Sequence, residues 1–339
     1  DLISGRKLKE ADFAVFFVDE FFIDKEKILN CLRIKKSDLV IFVRTETEPT
    51  TEQVDVIIRD LLNKNSANPC AIVGMGGGVT MDVAKAVANL YTNPGSAAKY
   101  QGWDLVKNKG IFKIAIPTIS GTGAEATRTC VMTNKESRLK LGMNSDYTVY
   151  DNIVMDPNLT STVPRSQFFY TGMDSYIHCL ESLNGNFRNP IGDAFSRESL
   201  NLCREVFLSD SMMSRENRLK LMVASYLGGC AIATSYVGLI HPLSAALSVV
   251  LGFHHCTANC IVMRAMETYY PKEYIEFWRM AEHQKVNIPQ GICQNLTEKQ
   301  YESLYKATLL HERPLENAIG TDFKKVLTKD HVVKLFMEM

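Results

Sequence analysis

Residues 70–88 constrain this chain more than any other stretch. Cys70-Ala71-Ile72-Val73 is an unbroken apolar run that passes directly into Gly74-Met75-Gly76-Gly77-Gly78-Val79-Thr80. Residues 81–88 follow with apolar positions at helical spacing. A short apolar run without alternation reads as a strand buried on both faces, as in a parallel sheet. Strand, glycine turn and helix in that order make a βα unit, and in such sheets ligands bind beyond the carboxyl ends of the strands. Two readings of the turn stay open. Its glycines let the backbone approach an anion such as a pyrophosphate at a helix N-terminus, or they serve only a tight turn. The pattern is neither G-x-G-x-x-G nor a Walker loop.

The same unit recurs around it. Apolar runs at 13–18, 38–43 and 111–116 read as further buried strands, and residues 52–62 read as a helix opened by Thr50-Thr51-Glu52. The last strand leads into a second glycine-rich turn, Pro117-Thr118-Ile119-Ser120-Gly121-Thr122-Gly123. This alternation predicts an α/β domain with a doubly wound parallel sheet. Asp19, closing the first strand, either accepts hydrogen bonds from an adenosine ribose, which favours NAD over NADP, or caps the turn that follows. Beyond Pro164 strand signals fade, and 166–186, 192–208 and 215–235 carry helical periodicity, with short amphipathic helices at 298–339. We expect an α/β domain over 1–160 and an all-α domain over 161–339.

Composition narrows the function classes. A hydrophobic fraction of 46% and a charged fraction of 22% are ordinary for a globular protein. Zero formal net charge gives no general attraction to nucleic acid or an anionic membrane. No apolar run approaches the ~20 residues that span a bilayer. The nine cysteines include no Cys-x-x-Cys pair. Cys256, Cys260 and Cys179 could serve a thiolate metal site, or act as small buried hydrophobes in a reducing cytosol. A cytoplasmic protein without nucleic-acid or membrane partners is expected.

Histidine placement is more specific. Of seven histidines, His178, His241, His254 and His255 fall in one region, while His283, His311 and His331 are scattered. Asp174 and His178 are four apart and share one face of a helix. With two later histidines they would complete an N/O shell suited to Fe²⁺ or Zn²⁺. The open alternative is that His241, within an apolar segment, is a hydrogen-bonded core residue.

These motifs together resemble the iron-containing (group III) alcohol dehydrogenases. Gly76-Gly77-Gly78 with Asp82 and Lys85 is similar to that family's GGGSxxDxxK turn, with Val79 in place of Ser. Residues 117–125 resemble its PTTxGTGSE loop, and Asp156-Pro157 its Asp-Pro before the helical domain. Gly172 through Glu181 resembles GxDAxxHxxE, Gly238 to His241 resembles GxxH, and His255 with Ala258-Asn259 resembles the final histidine segment. The resemblance implies the architecture shared with dehydroquinate synthases: an NAD(P)-binding domain, a helical metal domain and a cleft between them. It implies metal ligands Asp174, His178, His241 and His255. It implies cofactor contacts at Gly77, Gly78, Asp82, Thr118, Thr122, Asp19 and Lys140. One departure stands out: many members carry a further histidine, often assigned to proton relay, where this chain has Ala245. The proton would then leave through water or His254. Residues 141–147 and 182–186 are similar to the branch that oxidises 3-deoxy-D-manno-octulosonate (Kdo) at C8 for lipopolysaccharide synthesis.

The expectation is a metal- and NAD-dependent oxidation of a small alcohol or sugar acid to an aldehyde or ketone by a homo-oligomeric enzyme. The alternatives are a dehydroquinate-synthase-like lyase or cyclase, and a nucleotide-binding protein without catalysis.

Overall fold

A computed structural model describes residues 2–3 and 12–339. The chain separates into two compact units, one running to Thr118 and including Ala124–Leu159, the other made of Ile119–Gly123 and Thr160–Met339.

The first unit is an α/β layer structure. Its elements in chain order are β1 (Ala14–Asp19), α1 (Glu26–Leu29), β2 (Leu39–Val43), α2 (Thr51–Lys64), β3 (Ala71–Gly76), α3 (Gly78–Leu90), β4 (Gly102–Trp103), β5 (Lys113–Pro117), β6 (Thr129–Asn134), β7 (Leu139–Asn144) and β8 (Asn152–Ile153). The main sheet has the order β2-β1-β3-β5-β8 and every pairing in it is parallel. Side chains alternate across it as the pleat requires. Val15, Phe17 and Ile72 pack with Val54, Ile58 and Leu61 of α2 and Val83 and Val87 of α3. Phe16, Val18, Val73, Met75 and Ile116 face the other way, onto Phe22, Ile28, Leu29 and Leu32. Burial on both faces explains why β1, β3 and β5 read as largely apolar runs, whereas β2, at the sheet edge, leaves Val40 and Phe42 exposed.

Sequence reasoning did not find the second sheet, of order β4-β7-β6, in which β6 and β7 form an antiparallel hairpin. Only Cys130 and Met132 of β6 are buried, in alternation with half-exposed neighbours. A one-sided hairpin of this kind leaves no apolar run to read.

The second unit is helical: α4 (Arg165–Asn184), α5 (Pro190–Phe207), α6 (Arg215–Ser235), α7 (Ile240–Leu251), α8 (His255–Val262), α9 (Pro271–His283), α10 (Glu298–Leu309), α11 (Glu312–Ile319), α12 (Phe323–Val326) and α13 (Lys329–Met337). Residues 171–182 of α4 are buried without interruption, so this helix is enclosed on all sides. Among the described residues, no single helix is long and apolar enough to cross a membrane.

Candidate metal centre and cofactor turn

The centre is built on α4. Asp174, His178 and Glu181 recur at helical spacing and project from one face. His241, at the second position of α7, and His255, the first residue of α8, come to the same place. Asp174 Oδ1 lies 3.5 Å from His178 Nε2 and 3.4 Å from His241 Nε2, and Asp174 Oδ2 lies 3.6 Å from His255 Nε2. The His178 and His241 rings stack with centroids 4.8 Å apart. Bonds of roughly 2.1 Å in tetrahedral geometry put ligand atoms about 3.4 Å apart, which is the spacing found from carboxylate to each imidazole. Among the described residues, Asp174, His241 and His255 each offer a ligand atom within 4.8 Å of the others, which could hold one cation, and His178 stands beside Asp174 without belonging to that group.

Electrostatics prepare the ligands. Burial would raise the Asp174 carboxyl, but His178, His255 and His241 outweigh it and hold it well below the usual carboxylate range. Burial lowers His178 to about 4 in spite of Asp174 beside it, so its ring is neutral and able to ligate. Burial would lower His241 as well, but Glu181 and Asp174 prevail and push it up to about 9. Two carboxylates around one imidazole demand positive charge there, and a cation among these rings would answer that demand.

Glu181 and Asn259, motif residues to which sequence reasoning gave no role, complete the surroundings. Glu181 Oε2 lies 2.5 Å from His241 Nδ1, and its Oε1 accepts the Ile240 N–H at 2.5 Å. A carboxylate on Nδ1 directs the Nε2 lone pair to the centre. The Asn259 amide, fully buried, donates to Asp174 Oδ1 at 2.6 Å. Cys256 Sγ stands 3.9 Å from Asp174 Oδ2. Burial pushes the thiols of Cys179 and Cys260 above their ordinary range, which keeps them protonated.

His254 is placed differently. It occupies the N-cap position of α8, exposed, and its ring makes no hydrogen bond, ion pair or ring contact among the described residues. Ala245 is buried on α7.

In the first unit, β2 and β3 flank β1 on opposite sides, so the order of winding reverses between β1 and β3. Ligands of open α/β sheets sit at the carboxyl ends beside such a point. Asp19 ends β1, Gly76 ends β3, and Thr118 follows β5. A Cβ on Gly76 would stand 2.6 Å from the Thr80 side chain, so only glycine lets the chain turn so tightly into α3. Gly77 is the N-cap and Gly78 the first residue of α3, and no side chain caps that end. A helix N-terminus of this kind favours an anion.

The remaining named residues have structural partners. Asp19 Oδ1 accepts the Phe21 N–H at 3.0 Å. Asp82 is half-buried, accepts the Val131 N–H at 2.9 Å, and is raised by desolvation to about 6 despite Lys85. Lys140 is buried and paired with Glu48 at 3.0 Å. Thr122 belongs to the short Ile119–Gly123 piece of the second unit.

A winding-reversal sheet with a glycine turn in one unit, and a carboxylate–imidazole centre in a helical other, define a class of nucleotide- and metal-using proteins. The family described as "Iron-containing alcohol dehydrogenase" matches residues 4–157, and "Fe-containing alcohol dehydrogenase family, C-terminal" matches residues 168–313. This chain belongs to the iron-containing alcohol dehydrogenase family. It is 32% identical over 188 residues to a sulfoacetaldehyde reductase of Bilophila wadsworthia (strain 3_1_6), covering 54% of this chain and 48% of that one. It is 27% identical over 267 residues to an NAD-dependent methanol dehydrogenase of Bacillus methanolicus, covering 76% and 69%. The chain thus spans about half the length of the first of these relatives. The fold matches that of sulfoacetaldehyde reductase from Bifidobacterium kashiwanohense in complex with NAD⁺, with a TM-score of 0.78, 23% identity, and 98% and 93% of the two chains covered.

Proposed function

We propose that this protein is a divalent-metal- and NAD-dependent oxidoreductase that interconverts a small alcohol and its aldehyde or ketone. The observation that carries the reading is one buried carboxylate with three imidazole nitrogens 3.4–3.6 Å from it. Asp174, His178, His241 and His255 would hold the cation, Fe²⁺ or Zn²⁺. Gly77 and Gly78 at the head of α3 would take the cofactor's pyrophosphate, with Thr118, Thr122, Asp82 and Lys140 as further contacts. Asp19 would take the adenosine ribose and disfavour a 2′-phosphate. When bound, the cation would polarise the substrate oxygen and NAD⁺ would accept the hydride. Asp174 keeps its charge at any ordinary pH, and Glu181 holds the His241 ring in its ligating tautomer. With Ala245 unable to relay a proton, His254, exposed and adjoining His255, is the side chain proposed to pass it to water.

Kdo, oxidised at C8 in lipopolysaccharide synthesis, is the first specific substrate to try, on the likeness of residues 141–147 and 182–186 to that branch. Of three arginines able to meet its carboxylate, Arg128 is paired with Asp104 and Asp146, and Arg188 is bidentate with Asp193. Arg138, exposed in the β6–β7 turn, is the third.

The test is metal analysis of the purified protein, with NADH formation measured on a panel of alcohols and sugar acids. Bound metal with turnover, both lost in His255→Ala, is the expected result. Wild-type turnover by His255→Ala would refute the ligand set. Tight metal binding with no turnover on any substrate would favour a nucleotide-binding protein without catalysis.

A further inference from the structure

The backbone between α6 and α7 leaves ordinary conformations at one residue. Tyr236 has φ 61° and ψ 168°, a setting that a bulky side chain adopts only where its surroundings enforce it. The enforcement comes from α11. The Asn317 side chain is fully buried, and its Nδ2 donates to the carbonyls of Ser235 at 2.9 Å and Val237 at 3.0 Å, on either side of Tyr236. Its Oδ1 accepts the Phe187 N–H at 2.8 Å, and its backbone carbonyl accepts that of Asn186 at 2.7 Å. Gly185 leaves room for this, since a Cβ there would stand 2.3 Å from Asn317 Oδ1. The Tyr236 ring meets Phe187 edge-on, with centroids 5.5 Å apart, and the Arg313 guanidinium lies 5.4 Å from its centre.

One carboxamide on α11 therefore joins two segments. The first is the end of α4, the helix that carries Asp174, His178 and Glu181. The second is the loop that leads into His241. Glu181 grips the far end of the same loop through the Ile240 N–H and the His241 ring. The loop is thus pinned at both ends to elements continuous with the ligand helix.

We propose that Asn317 is a positioning residue for the metal centre, setting residues 235–239 so that the His241 ring meets Asp174. This rests on the metal reading above. Asn317 lies beyond the residues 168–313 that the family match covers. The position needs a carboxamide because two carbonyls require donors while Phe187 N–H requires an acceptor. Serine retains one donor at shorter reach, and alanine retains nothing.

The experiment compares wild type, Asn317→Ala, Asn317→Ser and Leu335→Ala, a buried core change on α13, with Co²⁺ as probe. Co²⁺ affinity and its visible absorption spectrum are measured, together with amide exchange at 236–241 in the cation-free proteins. Asn317→Ala should bind Co²⁺ at least tenfold more weakly, with an altered spectrum and faster exchange at 236–241. Asn317→Ser should fall between it and wild type, and it serves if the alanine variant does not fold. Leu335→Ala should lose thermal stability yet keep the affinity and spectrum. Wild-type affinity and spectrum in the Asn317 variants would overturn the proposal, as would equal losses in Leu335→Ala. A wild-type protein that binds no Co²⁺ would sink the metal reading itself. Unchanged exchange at 236–241 would separately sink the clamp.

Discussion

Glu181 is the residue whose replacement should harm the centre most without removing a ligand. Its carboxylate fixes the His241 tautomer and also holds the Ile240 N–H. Partners of this kind typically contribute 10- to 100-fold in metal affinity. Glu181→Gln keeps the shape but places a neutral amide against the ring, so it should bind the cation about 10- to 100-fold more weakly, read by competition with a chelator of known affinity. Unchanged affinity would mean that His241 is oriented by something else. Asp174 and His178 were legible in the sequence because their relation is local, four residues on one helix. His241 and His255 were legible as candidates because histidines are few and cluster, and because the segments around them resemble the family's GxxH and final histidine motifs. The role of Glu181 was not, because its partner lies sixty positions away, at 241, and only folding brings the two together. Asn317 was less legible still: a lone asparagine in a polar C-terminal helix carries no periodic signal, and its partners are backbone groups.

At the scale of elements, the buried strands were read correctly from their apolar runs, and one of them contains a charge that the run conceals. Lys113 of β5 is almost wholly buried, and its Nζ makes one long bond, to the Ile111 carbonyl at 3.4 Å. Burial, offset only in part by Asp151, lowers this ammonium from an ordinary 10.5 to about 8. A lysine whose folded pKa is depressed contributes stability above its unfolded value, and that contribution is lost as pH falls through the folded one. At neutral pH the buried charge therefore costs roughly 3 kcal/mol, at about 1.4 kcal/mol per tenfold. Lys113→Met should raise the unfolding free energy at pH 7 by up to about that amount, with the gain fading between pH 8 and pH 10.5. Asp151 would keep its bonds to the residue-113 N–H and to Lys109. Denaturant unfolding of both proteins at pH 7 and above pH 10 checks it, and a destabilised variant at pH 7 would show that Lys113 is better satisfied than its contacts indicate. The hairpin β6–β7 escaped sequence reasoning for the opposite reason: its buried positions, Cys130 and Met132 of β6 and Lys140 and Met143 of β7, are isolated in the sequence among half-exposed neighbours.

At the scale of the molecule, the two proposed ligands divide between the two compact units, Thr122 being the one proposed cofactor contact that belongs to the second. All four proposed metal ligands lie within Thr160–Met339, while the glycine turn and Asp19 lie in the unit that ends its first stretch at Thr118. A ligand that binds only the folded state adds about 2.7 kcal/mol at a hundred times its dissociation constant. Its effect on local opening is felt in the cooperative unit that holds it. A divalent cation should therefore slow amide exchange in α4, α7 and α8, and NAD⁺ should slow it at β3 and the head of α3. In His255→Ala the cation response should vanish while the NAD⁺ response persists, since His255 belongs to the unit that holds the proposed metal ligands and the glycine turn to the other. Exchange followed by mass spectrometry under the four conditions resolves this. A cation that protects the glycine turn, or an NAD⁺ response lost with His255, would mean that the units do not open independently. The assignment of each ligand to its own unit would then have to be abandoned.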